Sequence, residues 1–100
     1  MRERAVILSP EARADLFGLY DWIAEAASPE VALGYVERIE RFCLGLSLAS
    51  ERGHRRDDVR AGLRIVGFER RVTVAFVVEE ERVVVLRLFY GGRNWEELID

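Results

Sequence analysis

The sequence predicts an α+β fold, a helical hairpin packed on one face of a small, mostly antiparallel sheet, and three observations carry that expectation. Residues 71–78 and 83–89 are dense β-branched runs joined by Glu79-Glu80-Glu81-Arg82, the pattern of an antiparallel hairpin. Ser9-Pro10-Glu11 and Ser28-Pro29-Glu30 each combine a hydroxyl N-cap, a proline at the first helical position and an acid in the first turn. The apolar run Ala5-Val6-Ile7-Leu8 precedes the first of these starts as an opening strand.

The first helix carries Ala12, Leu16, Leu19, Tyr20 and Ile23 on one stripe, with Phe17 and Trp22 on its flanks. The second carries Val31, Ala32, Tyr35, Val36, Ile39, Phe42, Cys43 and Leu46, with Leu33 and Leu44 on its back. A link of only a few residues forces the two into an αα-hairpin. Residues 51–62 are polar and charged, a long connection punctuated by Gly53 and Gly62. Residues 63–66 read as a short strand, Gly67-Phe68-Glu69-Arg70 as the turn into the long hairpin, and residues 94–99 as a closing helical turn capped by Asn94. The order is strand, helix, helix, three strands, short terminal helix, with the helices segregated to one side of the sheet.

One hundred residues suffice for a single domain, 1–100, around one core. No apolar run approaches the roughly 20 residues of a membrane span, and the N-terminus lacks a signal-peptide core, so the chain reads as cytoplasmic. Cys43 stands alone and is placed as a buried helical thiol. All fifteen basic residues are arginines. Each offers a planar fork to carboxylate or phosphate, and none can serve as a lysine base. Residues 52–71 hold seven arginines against three acids in a chain of net charge −3. A mildly acidic chain with a basic midsection is not patterned as a general nucleic-acid binder, and no direct sequence-specific DNA binding is expected.

Strict alternation along the hairpin puts Val84, Leu86 and Leu88, with Val72, Val74, Phe76 and Val78, on the helix-facing side. The opposite side then mixes apolar groups with guanidiniums: Val83, Val85, Arg87 and Phe89, Arg71, Thr73, Ala75 and Val77, and Arg64 from the short strand. Exposed apolar β-surface with embedded arginines marks a docking face for a partner segment or a nucleic-acid phosphate.

Little catalytic chemistry is patterned. His54 is the only histidine, and the chain has no Cys pair, calcium-loop spacing or P-loop glycines, so no metal and no cofactor is expected. One set suits RNA cleavage through the 2′-hydroxyl, with Arg64, Arg87 and Arg93 stabilising charge and Tyr90 donating a proton. It lacks a base. Tyrosine, with an unperturbed pKa of about 10, and arginine, higher still, do not accept protons near neutrality.

Several stretches belong together: Leu8-Ser9-Pro10-Glu11-Ala12 with Asp15-Leu16, Trp22-Ile23, Ser28-Pro29-Glu30, and Glu51-Arg52-Gly53. They continue through Asp57-Asp58-Val59-Arg60-Ala61-Gly62-Leu63-Arg64 to residues 83–88, which run into Tyr90-Gly91-Gly92-Arg93-Asn94. In this order, over nearly the whole chain, they resemble the ParE/RelE superfamily of bacterial type II toxins, and more closely its ParE branch. The resemblance implies a toxin neutralised by a cognate ParD-like antitoxin, a ribbon-helix-helix protein whose C-terminal tail wraps the toxin. It implies DNA gyrase as the target, inhibited by binding; the RelE branch implies instead a ribosome-dependent mRNA endoribonuclease. A tail on the mixed sheet face would meet Arg64, Arg71, Thr73, Val85, Arg87 and Phe89, leaving Arg87, Tyr90, Arg93 and Trp95 as target contacts. The chain departs from both branches in having no lysine and in carrying Tyr90 where many ParE-like chains have histidine. The missing base favours a binding poison over an enzyme.

Overall fold

The structure, a computed structural model, describes residues 3–91 and Glu96. Strand β1 (Ala5–Leu8) leads into α1 (Pro10–Ala26) and α2 (Pro29–Leu44), followed by a 3-10 turn at Gly45–Ser47. Then come β2 (His54–Arg55), β3 (Leu63–Phe68), β4 (Val72–Val78) and β5 (Arg82–Tyr90). The strands form one sheet in the order β1-β5-β4-β3-β2, parallel between β1 and β5 and antiparallel elsewhere. The α+β expectation holds. The closing turn expected over residues 94–99 lies outside the described residues, Glu96 excepted.

Both helix starts form as their chemistry dictates. Ser9 Oγ accepts from the Ala12 N–H at 3.0 Å and Ser28 Oγ from the Val31 N–H at 3.1 Å, each satisfying an otherwise orphaned amide. The helical stripes then deliver Ala12, Leu19, Ile39, Cys43 and Leu46 onto Val72, Val74, Phe76, Val83, Val85 and Leu88. Each large side chain sealed there contributes about 1.5–3 kcal/mol of transfer free energy. Val31 departs from its expected core place and is 54% exposed.

Cys43 is fully buried, and burial, helped by the Glu40 charge, pushes its thiol up to about 11 from an ordinary 9.0. The unfolded thiol ionises first, so stability is indifferent to this group below pH 9 and falls as pH rises from there through about 11. Native protein at pH 8 should leave Cys43 unreacted with Ellman's reagent on the timescale that labels unfolded chain completely. Equal labelling of both forms would contradict the burial.

Two boundaries differ from expectation. The connection over 51–62 contains β2, brought against β3 by Gly53, whose φ is +74° and where an added Cβ would lie 1.9 Å from Ile65 O. Only glycine allows that approach. Gly67 is not in a turn but continues β3 opposite Thr73. The turn is centred on Glu69 (φ 49°) and Arg70 (φ 60°). Turns with both central φ positive ordinarily select Asn-Gly, so these two residues gave no signal.

The larger correction lies in β5. Ala75 pairs with Arg87 but Phe76 with Val85, so Leu86 is an extra residue, a β-bulge. Alternation reverses across it. Val83 and Val85 face the helices, as do Leu88 and Tyr90, while Leu86 and Phe89 turn to the opposite side. That opposite side is not a bare docking face: Leu63, Ala75 and Phe89 are buried there, with Val59, Ile65 and Leu86 packed against them.

Candidate functional site

The bulge is held by the start of α1. Ser9 Oγ donates to Leu86 O at 2.8 Å, and Leu88 N–H donates to Asp15 Oδ2 at 2.9 Å. Arg87 closes the arrangement, its Nε donating to Asp15 Oδ2 at 2.7 Å and its Nη2 to Oδ1 at 3.0 Å. This is a bidentate pair whose side chains are only 25% and 13% exposed, with the guanidinium 4.8 Å from the Phe89 ring centroid. Arg87 therefore supports the fold from within. Asp15, 72 positions away in the chain, supplies the carboxylate.

The remaining expected site residues scatter. Arg64 sits opposite Phe76, hence on the helix-facing side, and its Nη1 donates to Glu51 O at 3.1 Å and Arg52 O at 3.3 Å. Val85 and Phe89, at 0% and 2% exposure, offer a partner no surface. Thr73 is half-buried opposite Phe89, and Arg71 is exposed beside the β3–β4 turn. Arg93 and Trp95 lie outside the described residues. The nuclease set is not gathered among the described residues: Arg64 and Tyr90 stand opposite Phe76 and Val72, roughly 13 Å apart along β4.

Tyr90 instead joins a different site. At the end of the sheet under α1 and α2 lies a groove of about 520 Å³ lined by Leu19, Trp22, Ile23, Val31, Tyr35, Val72 and Tyr90, with Arg70 and Arg71 at its rim. Trp22 is 55% exposed, its ring centroid 5.6 Å from that of Tyr90. The Tyr35 hydroxyl is buried without a hydrogen-bond partner, and burial, then the Glu69 charge, raises its pKa above the usual phenol range. A buried donor left unpaired costs about 1–3 kcal/mol, so an acceptor arriving with a ligand would be favoured.

The rim is strained. Positive φ at two non-glycine residues costs about 1–2 kcal/mol each, and the turn closes through Arg71 N–H to Phe68 O at 3.1 Å. Arg38 grips Glu69 in bidentate fashion at 3.0 and 3.2 Å and holds that carboxyl below the usual range. Glu69 is thus engaged by Arg38, with the Arg71 charge acting on it from farther off, and among the described residues no salt bridge within 4 Å holds Arg70 or Arg71. An apolar cleft with an unpaired donor and two open guanidinium forks suits an apolar segment carrying a carboxylate. Arg70→Gly should relax the turn and raise stability by about 1 kcal/mol in urea titration while removing one fork from the rim. A destabilised Arg70→Gly protein would contradict the strain.

Of the groove residues, Trp22 stood out in the sequence by lying off its helical stripe, while Arg71 and Tyr90 stood out as expected partner contacts, though not as members of one groove. Val31 and Tyr35 have core periodicity, and Arg70 depends on a turn conformation that its residue type disfavours.

The model of the family described as "ParE toxin of type II toxin-antitoxin system, parDE" matches residues 6–95. Among curated proteins none matches the chain in sequence. The chain is similar in structure to the chromosomal ParDE TA system from P. aeruginosa, with a TM-score of 0.77 and 27% identity over 88% of this chain and 96% of that one. It shares its fold with the toxin-antitoxin complex RelBE2 from Mycobacterium tuberculosis, at TM-score 0.60 and 23% identity, covering 93% and 97% of the two chains. With nine-tenths of its length inside the family match, the chain belongs to the ParE toxins of type II toxin-antitoxin systems.

Proposed function

We propose that the chain is the toxin of a cytoplasmic pair, neutralised by a cognate ParD-like antitoxin and acting by binding and inhibiting DNA gyrase. The observation that supports a binding mode is the dispersal of the cations: Arg87 is consumed by Asp15, and Arg64 and Tyr90 lie well apart. RNA cleavage needs a base, an acid and charge stabilisation converging on one phosphate. The antitoxin tail occupies the groove, its apolar side chains against Trp22, Val31 and Tyr35 and its carboxylates on Arg70 and Arg71. Tyr90 lines the same groove, so a tail seated there hides a residue proposed to meet the target.

Purified toxin added to gyrase should block supercoiling or trap cleavage complexes, and added antitoxin should reverse the effect. Gyrase left untouched, with in-frame mRNA cuts appearing by primer extension in expressing cells, would replace this reading with the RelE-type nuclease.

A further inference from the structure

A second cationic site lies away from the groove, at the β2 edge of the sheet. Arg55 and Arg64 are direct cross-strand partners in the β2–β3 ladder, so their side chains share a face at neighbour distance. Like charges placed so are unfavourable unless something else uses them. Arg64 is oriented by the Glu51 and Arg52 carbonyls, not by a carboxylate. Arg52 in turn lies with its guanidinium 5.2 Å from the Phe42 ring centroid. Of the three, only Arg55 has an acid, the exposed Asp57 at 3.1 Å, and Asp57 is shared with the Gly62 N–H at 2.9 Å. No ion pair engages Arg52 or Arg64 among the described residues, although Glu51 is adjacent in the chain. The arrangement depends on Gly53, whose close approach to Ile65 O brings the 51–53 backbone onto Arg64.

Arginine forks held by a ring and by carbonyls keep their charge available to an anion. We infer that Arg52, Arg55 and Arg64 form a subsite for the phosphodiester backbone of a nucleic acid, contacted through charge and without base readout. The subsite is roughly 13 Å along β3 from the turn that rims the groove, so both can be occupied together. A chain of net charge −3 then binds nucleic acid through one local patch, weakly and with steep salt dependence. This inference goes beyond the antitoxin and gyrase reading and stands or falls separately from it.

The test is fluorescence anisotropy of the full chain with labelled oligonucleotides of mixed sequence, single- and double-stranded, titrated with salt. Wild type should bind at low salt with a Kd on the order of 10⁻⁵ M, independent of sequence. Arg52→Gln with Arg55→Gln, which leaves the Arg64 anchor intact, should weaken binding at least tenfold and shrink the slope of log K against log salt by about 2. Arg64→Gln should act in the same direction, and Arg13→Gln, on exposed α1, should change neither quantity. No binding at low salt, or equal losses from Arg13→Gln, would overturn the inference. Displacement by poly-glutamate as efficient as by unlabelled oligonucleotide would overturn it in favour of an acidic protein partner.

Discussion

Asp15→Ala should cost about 3 kcal/mol, the largest loss expected from any single polar substitution in this chain. The carboxylate accepts three hydrogen bonds, two from Arg87 and one from the Leu88 amide, at a site only 13% exposed on the aspartate side. Removing it leaves a guanidinium and a backbone donor unpaired beside the core, and breaking a buried pair typically costs about 3–5 kcal/mol. Partial exposure of Arg87 places the expectation at the low end. In urea titration the midpoint should fall with the m-value unchanged. Asp15→Ala combined with Arg87→Met should recover most of the loss, because the cost comes from the stranded cation more than from the lost pair. A single-variant loss below about 1 kcal/mol would mean that the bulge does not depend on this clamp.

Trp22→Ala should weaken antitoxin capture by about 2–3 kcal/mol, or roughly 30- to 150-fold in Kd. Trp22 presents more than half its surface at the groove and stacks at a tilt on Tyr90, the position an interface anchor takes. Because it is already exposed, its loss should leave the unfolding midpoint of the free toxin nearly unchanged. Tyr35→Phe separates the two quantities in the other direction. It removes a buried hydroxyl with no partner, so the free toxin should gain stability while the complex loses a hydrogen bond. Calorimetric titration with the antitoxin measures both variants, and wild-type affinity for Trp22→Ala would move the interface away from the groove.

Much of this architecture was legible in residue order. The Ser-Pro-Glu starts announced both helices because capping chemistry is local, and the β-branched runs announced β4 and β5 because strand propensity is local too. Alternation sorted β4 correctly, with Val72, Val74 and Phe76 on the helices. It failed in β5 because one extra residue at Leu86 inverts every position before it relative to those after it, and nothing in a valine-rich run marks such an insertion. Arg87 was placed on the correct side, yet it read as a docking residue because the carboxylate that engages it lies 72 positions away, beyond any local pattern. The groove was hidden for a related reason. It is assembled from the end of α1, the start of α2 and a turn whose positive φ values run against its residue types. Trp22, off its stripe, hinted at it, and Arg71 and Tyr90 were singled out without their being seen to share it.

Co-expression in cells tests the central claim most directly, with wild-type toxin and an Arg70→Glu, Arg71→Glu variant each produced with and without the cognate antitoxin. Both proteins should stop growth when expressed alone, and only the wild type should be rescued, because reversed rim charges repel the carboxylates of the tail. Equal rescue of both would contradict the account, as would a chain that leaves growth unaffected without any antitoxin.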